Sequence, residues 1–214
     1  MPFYSTNTNT AMINRLALCS LFCLSALTIF AQEKSKVKFG KVTPEDFKQT
    51  VYSIDSGANA VIIADIGSTE ILGNTKGSFS LEFKNYRRAH ILNKNGYNIA
   101  NVEVRIYTNG SLEEELNNLK AVTYNLENGK VVETKLDVKA AVFKDKINKN
   151  LVVKKFTFPN IKEGSIIEYE YKLRSDFMFN LQPWDFQSEY PCLWSEYNVS
   201  MPEFYYYVTL TQGY

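Results

Sequence analysis

From Ala60 onward the chain reads as short runs of Val, Ile, Phe and Tyr that alternate with polar residues and are punctuated by Gly and Asn, the pattern of half-buried strands. "AVIIADI" at 60–66 predicts the first of them. In "GSFSLEFKNYRRAHILN" the odd positions Phe79, Leu81, Phe83, Ala89 and Ile91 are apolar. Ser80, Glu82, Lys84, Arg88 and His90 fall on the other face, which makes His90 a solvated side chain by expectation. Asn95-Gly96 then turns the chain into "NIANVEVRIYT", where Val102, Val104 and Ile106 point inward. "LVVKKFTF" and "GSIIEYEYKL" flank a turn bounded by Pro159 and Gly164. In the second of these, Ile167, Tyr169, Tyr171 and Leu173 alternate with Glu168, Glu170 and Lys172. The two glutamates are expected on a solvated sheet face beside Lys172 rather than as a catalytic carboxylate pair.

Two stretches break this period. In "TPEDFKQ", Thr43 caps, Pro44 suits a first helical position and Asp46 stands at capping-box spacing. In "SLEEELNNL", Ser111 and Glu114 have the same spacing, and Leu112, Leu116 and Leu119 share a helical face. Around "NLENGKVVE" the apolar positions of both arms are even-numbered: Val122, Tyr124 and Leu126, then Val132, Leu136 and Val138. That parity predicts a three-residue turn over Glu127, Asn128 and Gly129, with positive φ at Gly129 and Tyr124 facing Val132. The fold class is all-β: an antiparallel β-sandwich with one or two short helices.

The N-terminus has a different character. Met12 and Arg15 precede an apolar run from Leu16 to Phe30 that closes on Ala31, the layout of a secretory signal cleaved before Gln32. A membrane anchor is the rival reading, although the run is short for a bilayer. Neither Cys19 nor Cys23 follows a small residue as lipid attachment requires, since Leu18 and Phe22 precede them. The expected organisation is a leader at 1–31 and a single β-sandwich domain at 32–214. The strand-like "YYYVTLT" close to Tyr214 reads as a fragment of a longer protein with an unpaired strand edge. Residues 1–31 contain one Arg and no acid, so the remainder has 23 basic and 23 acidic residues. With no net charge, an electrostatic nucleic-acid binder is excluded. One cysteine, Cys192, survives the same cut, so no internal disulfide forms. One His and one Cys exclude a Cys/His zinc cluster, and no metal or cofactor is expected.

Cys192 sits in "QSEYPCLWSEY". Paired with His90 it would be a thiolate nucleophile. In an extended run it shares a face with Trp184, Phe186, Tyr190 and Trp194, an apolar setting that raises a thiol pKa, and that is the expected state. Trp184, Tyr190, Trp194 and Tyr197 are the candidate aromatic surface, either a ligand platform or an interdomain contact. No Gly-rich phosphate loop, nucleophile elbow or metal-binding helix motif occurs.

Three segments taken together, "LKAVTYNLENGKVVETKL", "FTFPNIKEGSIIEYEY" and "LQPWDFQSEYPCLWSEYNVSMPEF", resemble a secreted bacterial domain of unknown function found ahead of transglutaminase-like domains in envelope proteins. The resemblance spans residues 40–214. It implies a β-sandwich joined to a papain-type thiol enzyme domain whose Cys, His and Asp lie downstream, so no catalytic residue carries over to this chain. The expectation is therefore an exported, non-catalytic domain, periplasmic or extracellular, that positions or covers that enzyme domain. Its partners would be the downstream domain and a protein or glycan ligand. A free-standing adhesion or glycan-binding module is the alternative.

Overall fold

A computed structural model describes residues 37–205 and residue 210. The leader assigned to 1–31 and most of the strand-like C-terminal run lie outside the described residues. Among the described residues nine strands form two sheets: β1 (Ala60–Gly73), β2 (Phe79–Ile91), β3 (Asn101–Tyr107), β4 (Glu115–Glu127), β5 (Lys130–Lys135), β6 (Phe143–Lys146), β7 (Leu151–Thr157), β8 (Ile166–Ser175) and β9 (Ser195–Ser200). The larger sheet has the order β5-β4-β8-β2-β1-β9 and the smaller β3-β7-β6. Pairing is antiparallel throughout except between β1 and β9, which run parallel. The all-β class holds. Among the described residues helix is confined to one α-helical turn, Val138–Ala141, and two 3-10 stretches, Pro44–Phe47 and Lys94–Ala100.

The alternation along β2 and β8 decides the layers. Phe83, Ala89 and Ile91 from β2 meet Ile167, Tyr169 and Leu173 from β8, and this face closes on Val102, Val104, Ile106, Val152 and Phe156 of the small sheet. At roughly 25 cal/mol per Å² of apolar area, this inter-sheet layer is the main favourable term in folding. The even-numbered face carries a second cluster, Val122, Tyr124 and Ile166, roofed by Phe39, Val42 and Phe47 of the N-terminal segment.

That roof overturns two expectations. His90 is 1% exposed, with Nδ1 2.9 Å from the Tyr52 hydroxyl, because the segment leading into β1 lies over the face where solvent was expected. Glu168 is fully buried and paired with Arg88. Alternation assigned the face correctly but could not register a cover arriving from residues 39–52.

The 3-10 turn at Pro44–Phe47 appears where "TPEDFKQ" places it, with the Asp46 carboxylate accepting from Thr43 N (2.7 Å) and Thr43 Oγ1 (2.9 Å). The helix expected in "SLEEELNNL" does not form. Glu115, Leu116 and Asn117 pair with Arg174, Leu173 and Lys172 of β8, and Asn118 takes φ 54° at a bulge before pairing resumes at Lys120. Glu114 is drawn inside by the Tyr107 amide (2.8 Å) and Asn180 Nδ2 (2.8 Å), so its carboxylate does not cap a helix. A ladder to a central strand satisfies more backbone than one isolated turn.

The hairpin register also differs. Gly129 has the expected positive φ (76°), but Asn128 does too (51°), giving a two-residue turn that pairs Leu126 with Val131 and Tyr124 with Glu133. The expected contact of Tyr124 with Val132 is absent because β5 is an edge strand. Tyr124 packs instead beneath Phe39, Val42 and Phe47, so its cross-strand partner need not be apolar.

Candidate functional site

On the face that looks toward the small sheet, β1, β2 and β8 set polar residues in adjacent rows. Asp65 lies opposite Arg87, and Arg87 opposite Tyr169; Gly67 lies opposite Asn85, and Asn85 opposite Tyr171. β9 extends the rows with Ser195 and Tyr197. An Arg87 terminal amine donates to Asp65 Oδ2, and Asn85 Nδ2 donates to Asp65 Oδ1 at 3.3 Å. Asp65, Asn85 and Arg87 line a cleft of about 490 Å³ between the sheets, walled by Tyr169, Tyr171 and Trp184. Asp65 and Asn85 are 4% and 6% exposed. Asn85 Oδ1 and Arg87 Nε are buried without a hydrogen-bond partner among the described residues. Native interiors rarely leave such atoms unmatched, which marks this floor out from the rest of the sheet.

Segment 182–190 closes the cleft and has neither helix nor strand. Trp184 lies on Gly67, where a Cβ would sit 2.3 Å from the indole ring. It stacks parallel to Tyr197 (centroids 5.2 Å, 5° between planes) and donates from Nε1 to Ser195 Oγ at 3.2 Å. The Tyr197 hydroxyl, 2.7 Å from Thr69 Oγ1, also donates to the Gln182 carbonyl at 3.3 Å. Of the four candidate aromatic residues, Trp184 and Tyr190 line the cleft and Tyr197 backs Trp184. Trp194 is turned to Glu196, donating from Nε1 at 3.0 Å. All four are half-buried.

A second groove of about 650 Å³ runs over the even-numbered face of the large sheet, past Lys84, Lys120, Glu170 and Lys172. Its charges are matched locally, Lys84 to Glu70 and Glu82, Lys172 to Glu82, and Lys120 to Glu170, so it offers no unfilled group. The inter-sheet cleft is the stronger site.

Cys192 is half-buried against the inter-sheet core, and its Sγ donates to the Trp194 carbonyl at 3.3 Å. Burial, then the Asp65 carboxylate, raises its pKa. His90 projects to the opposite face of the sheet, against Phe47 and Tyr52. Burial lowers the His90 pKa, partly offset by a backbone hydrogen bond to Gly164. Thiol and imidazole are not brought together. Among the described residues no group of three or more His, Cys, Asp or Glu is placed to hold a metal, and no helix is long and apolar enough to cross a membrane.

The residues that sequence reasoning missed are Asp65, Asn85 and Arg87. Their signal is present in β2, where the apolar odd positions Phe83 and Ala89 are interrupted by Asn85 and Arg87, a polar gap in an otherwise buried face.

Residues 78–213 match the family described as a domain of unknown function with a solved structure, DUF3857. The chain belongs to this family. No match was found among curated proteins. A crystal structure from Parabacteroides distasonis, described as a candidate protease, is similar over 55% of this chain at 13% identity with a TM-score of 0.43. The chain spans 23% of that structure's length.

Proposed function

We propose that this DUF3857 chain is an exported, non-catalytic β-sandwich that positions or covers a downstream transglutaminase-like thiol enzyme domain, and that the inter-sheet cleft is its ligand site. The observation that carries the reading is the separation of Cys192 from His90 by the thickness of the large sheet, together with the raised thiol pKa. A nucleophile needs its base within hydrogen-bond reach, and neither group has the partner that would activate it. The unmatched atoms on the cleft floor support a binding role. Thiol labelling of the folded protein tests the first part: slow modification of Cys192, unaffected by His90→Ala, is expected. Rapid labelling abolished by that substitution would overturn it. For the second part, in a natural protein that carries this domain ahead of a thiol domain, deleting the domain should change the turnover of the thiol domain; unchanged kinetics would remove the positioning role.

A free-standing glycan-binding or adhesion module is the second reading, favoured by the tyrosine rings that line the cleft, Tyr171 and Tyr190. It requires saturable binding of a cell-wall oligosaccharide such as chitotriose.

A further inference from the structure

Asn85 and Arg87 each keep one hydrogen-bonding atom that the described protein does not satisfy, an acceptor on Asn85 and a donor on Arg87. The orientation of Asn85 is set by chemistry. Its Nδ2 faces the Asp65 carboxylate, which only accepts, so Oδ1 is the atom turned away. Arg87 engages the other oxygen of the same carboxylate. The unfilled acceptor and the unfilled donor Nε–H thus belong to side chains two positions apart on one strand face, drawn together by a shared anion.

We propose that the floor of the cleft recognises a primary carboxamide, the side-chain amide of Gln or Asn in an extended peptide. Its N–H donates to Asn85 Oδ1 and its C=O accepts from Arg87 Nε–H. The proposal deepens the reading of the cleft as a ligand site and rests on it. A carboxylate has no proton for Asn85, and the lining carries Asp65, Glu103, Asp185 and Glu189 against Arg87 and Arg105, which disfavours anions. An ammonium has no acceptor for Arg87. A trans peptide group points its N–H and C=O in opposite directions and meets only one of the two atoms. Paired sugar hydroxyls satisfy both, but a sugar platform needs an open ring face, and Trp184 is already applied to Gly67 and Tyr197.

Both unmatched atoms are shielded from solvent, so the ligand enters as a wall parts. The wall free to do so is segment 182–190, outside both sheets and tied to them through the Trp184–Ser195 and Tyr197–Gln182 hydrogen bonds. Trp184 therefore reports binding. The chain has two tryptophans, and Trp194→Phe leaves Trp184 alone.

The test is a titration of this variant, by fluorescence and calorimetry, with acetyl-Ala-Gln-Ala N-methylamide, its Glu and Met counterparts, and chitotriose. The Gln peptide should bind roughly tenfold more tightly than the Met peptide, the difference expected of a matched buried donor–acceptor pair. Asn85→Leu and, independently, Arg87→Lys should reduce Gln binding to the Met level and leave Met binding unchanged. The Lys variant retains a cation beside Asp65 and guards against loss of fold in the first. Equal affinity for Gln and Met peptides, or a response to chitotriose alone, overturns the proposal. Silence toward every probe overturns it too, while leaving the positioning role to be decided by the deletion kinetics.

Discussion

Arg87 and Arg88 leave β2 in opposite directions, and each meets a carboxylate buried in its own face of the large sheet. Around Arg88 every strong group is answered. Its Nε donates to Glu168 Oε2 at 2.7 Å and a terminal amine donates to the Lys38 carbonyl at 2.9 Å. Glu168 also accepts from Gly40 N (2.5 Å), the Tyr86 hydroxyl (3.1 Å) and the Tyr124 hydroxyl (3.3 Å). Burial, then the Glu168 carboxylate, raises the pKa of both tyrosines, which keeps them donors. Arg87 and Asp65 have a thinner circle, with Nε and the neighbouring Asn85 Oδ1 left over. A buried charge with all partners supplied by its own chain is fastening; one beside a cleft with capacity in reserve is free to take a further partner.

The largest effect should come from breaking the fastened side. Arg88→Ala or Glu168→Ala leaves one charge stranded and is expected to cost about 3–5 kcal/mol in urea denaturation. Arg88→Met combined with Glu168→Leu should recover only part of that loss, because both charges leave together but the Gly40 amide and the Tyr86 and Tyr124 hydroxyls lose their acceptor. If the single variants cost less than the double, the pair is not what clips residues 38–40 to the sheet.

Gly67→Ala sharpens the other side. The new methyl meets the Trp184 indole at 2.3 Å, so Trp184 must shift, with an expected loss of about 1–3 kcal/mol and a change in Trp184 emission. Unchanged emission would show that Trp184 does not rest on Gly67.

Most of the strand content was legible because period two survives in β1, β2, β3, β7 and β8, and alternation needs no knowledge of partners. The failures share a cause. His90 and Glu168 were placed on the correct face and given the wrong environment, since what covers that face arrives from residues 39–52. The β4 entry and the hairpin register depended on pairing with β8 and on an edge position, neither of which is encoded locally. At the site, the aromatic residues were visible as composition. Asp65, Asn85 and Arg87 required knowing that their face is interior, where a polar residue becomes informative.

His90 gives a pH dependence of the covered face. A carbonyl only accepts, so the hydrogen bond to Gly164 uses a ring N–H and leaves Nδ1 to accept from Tyr52, whose own pKa is pushed up to about 12, by burial first and then by Asp46. The folded state binds a proton on His90 less readily than the unfolded chain, whose imidazole titrates near 6.5. Its contribution is therefore fully present above that value and is lost as pH falls below it toward the lowered folded pKa. The slope should approach but not exceed about 1.4 kcal/mol per pH unit. Denaturation midpoints at pH 7.5 and 5.5 read it, and His90→Gln should flatten the difference.

The smallest expected effect is the most discriminating for the comparison. Asn125, buried like Asn85, donates to the Asn160 carbonyl at 3.0 Å and accepts from Ser165 Oγ at 2.6 Å. Replacing Asn125 by Leu removes two matched bonds and should cost about 1–3 kcal/mol, because it strands buried partners. Asn85→Leu removes one long bond at 3.3 Å to Asp65 Oδ1 and an acceptor that had no partner, so the loss of one and the relief of the other should offset and keep the change in stability within about 1 kcal/mol. A buried polar residue whose removal costs the fold so little is held for something other than the fold. If Asn85→Leu instead destabilises as much as Asn125→Leu, the floor of the cleft is a structural network like the one around Arg88, and the distinction between the two arginines disappears.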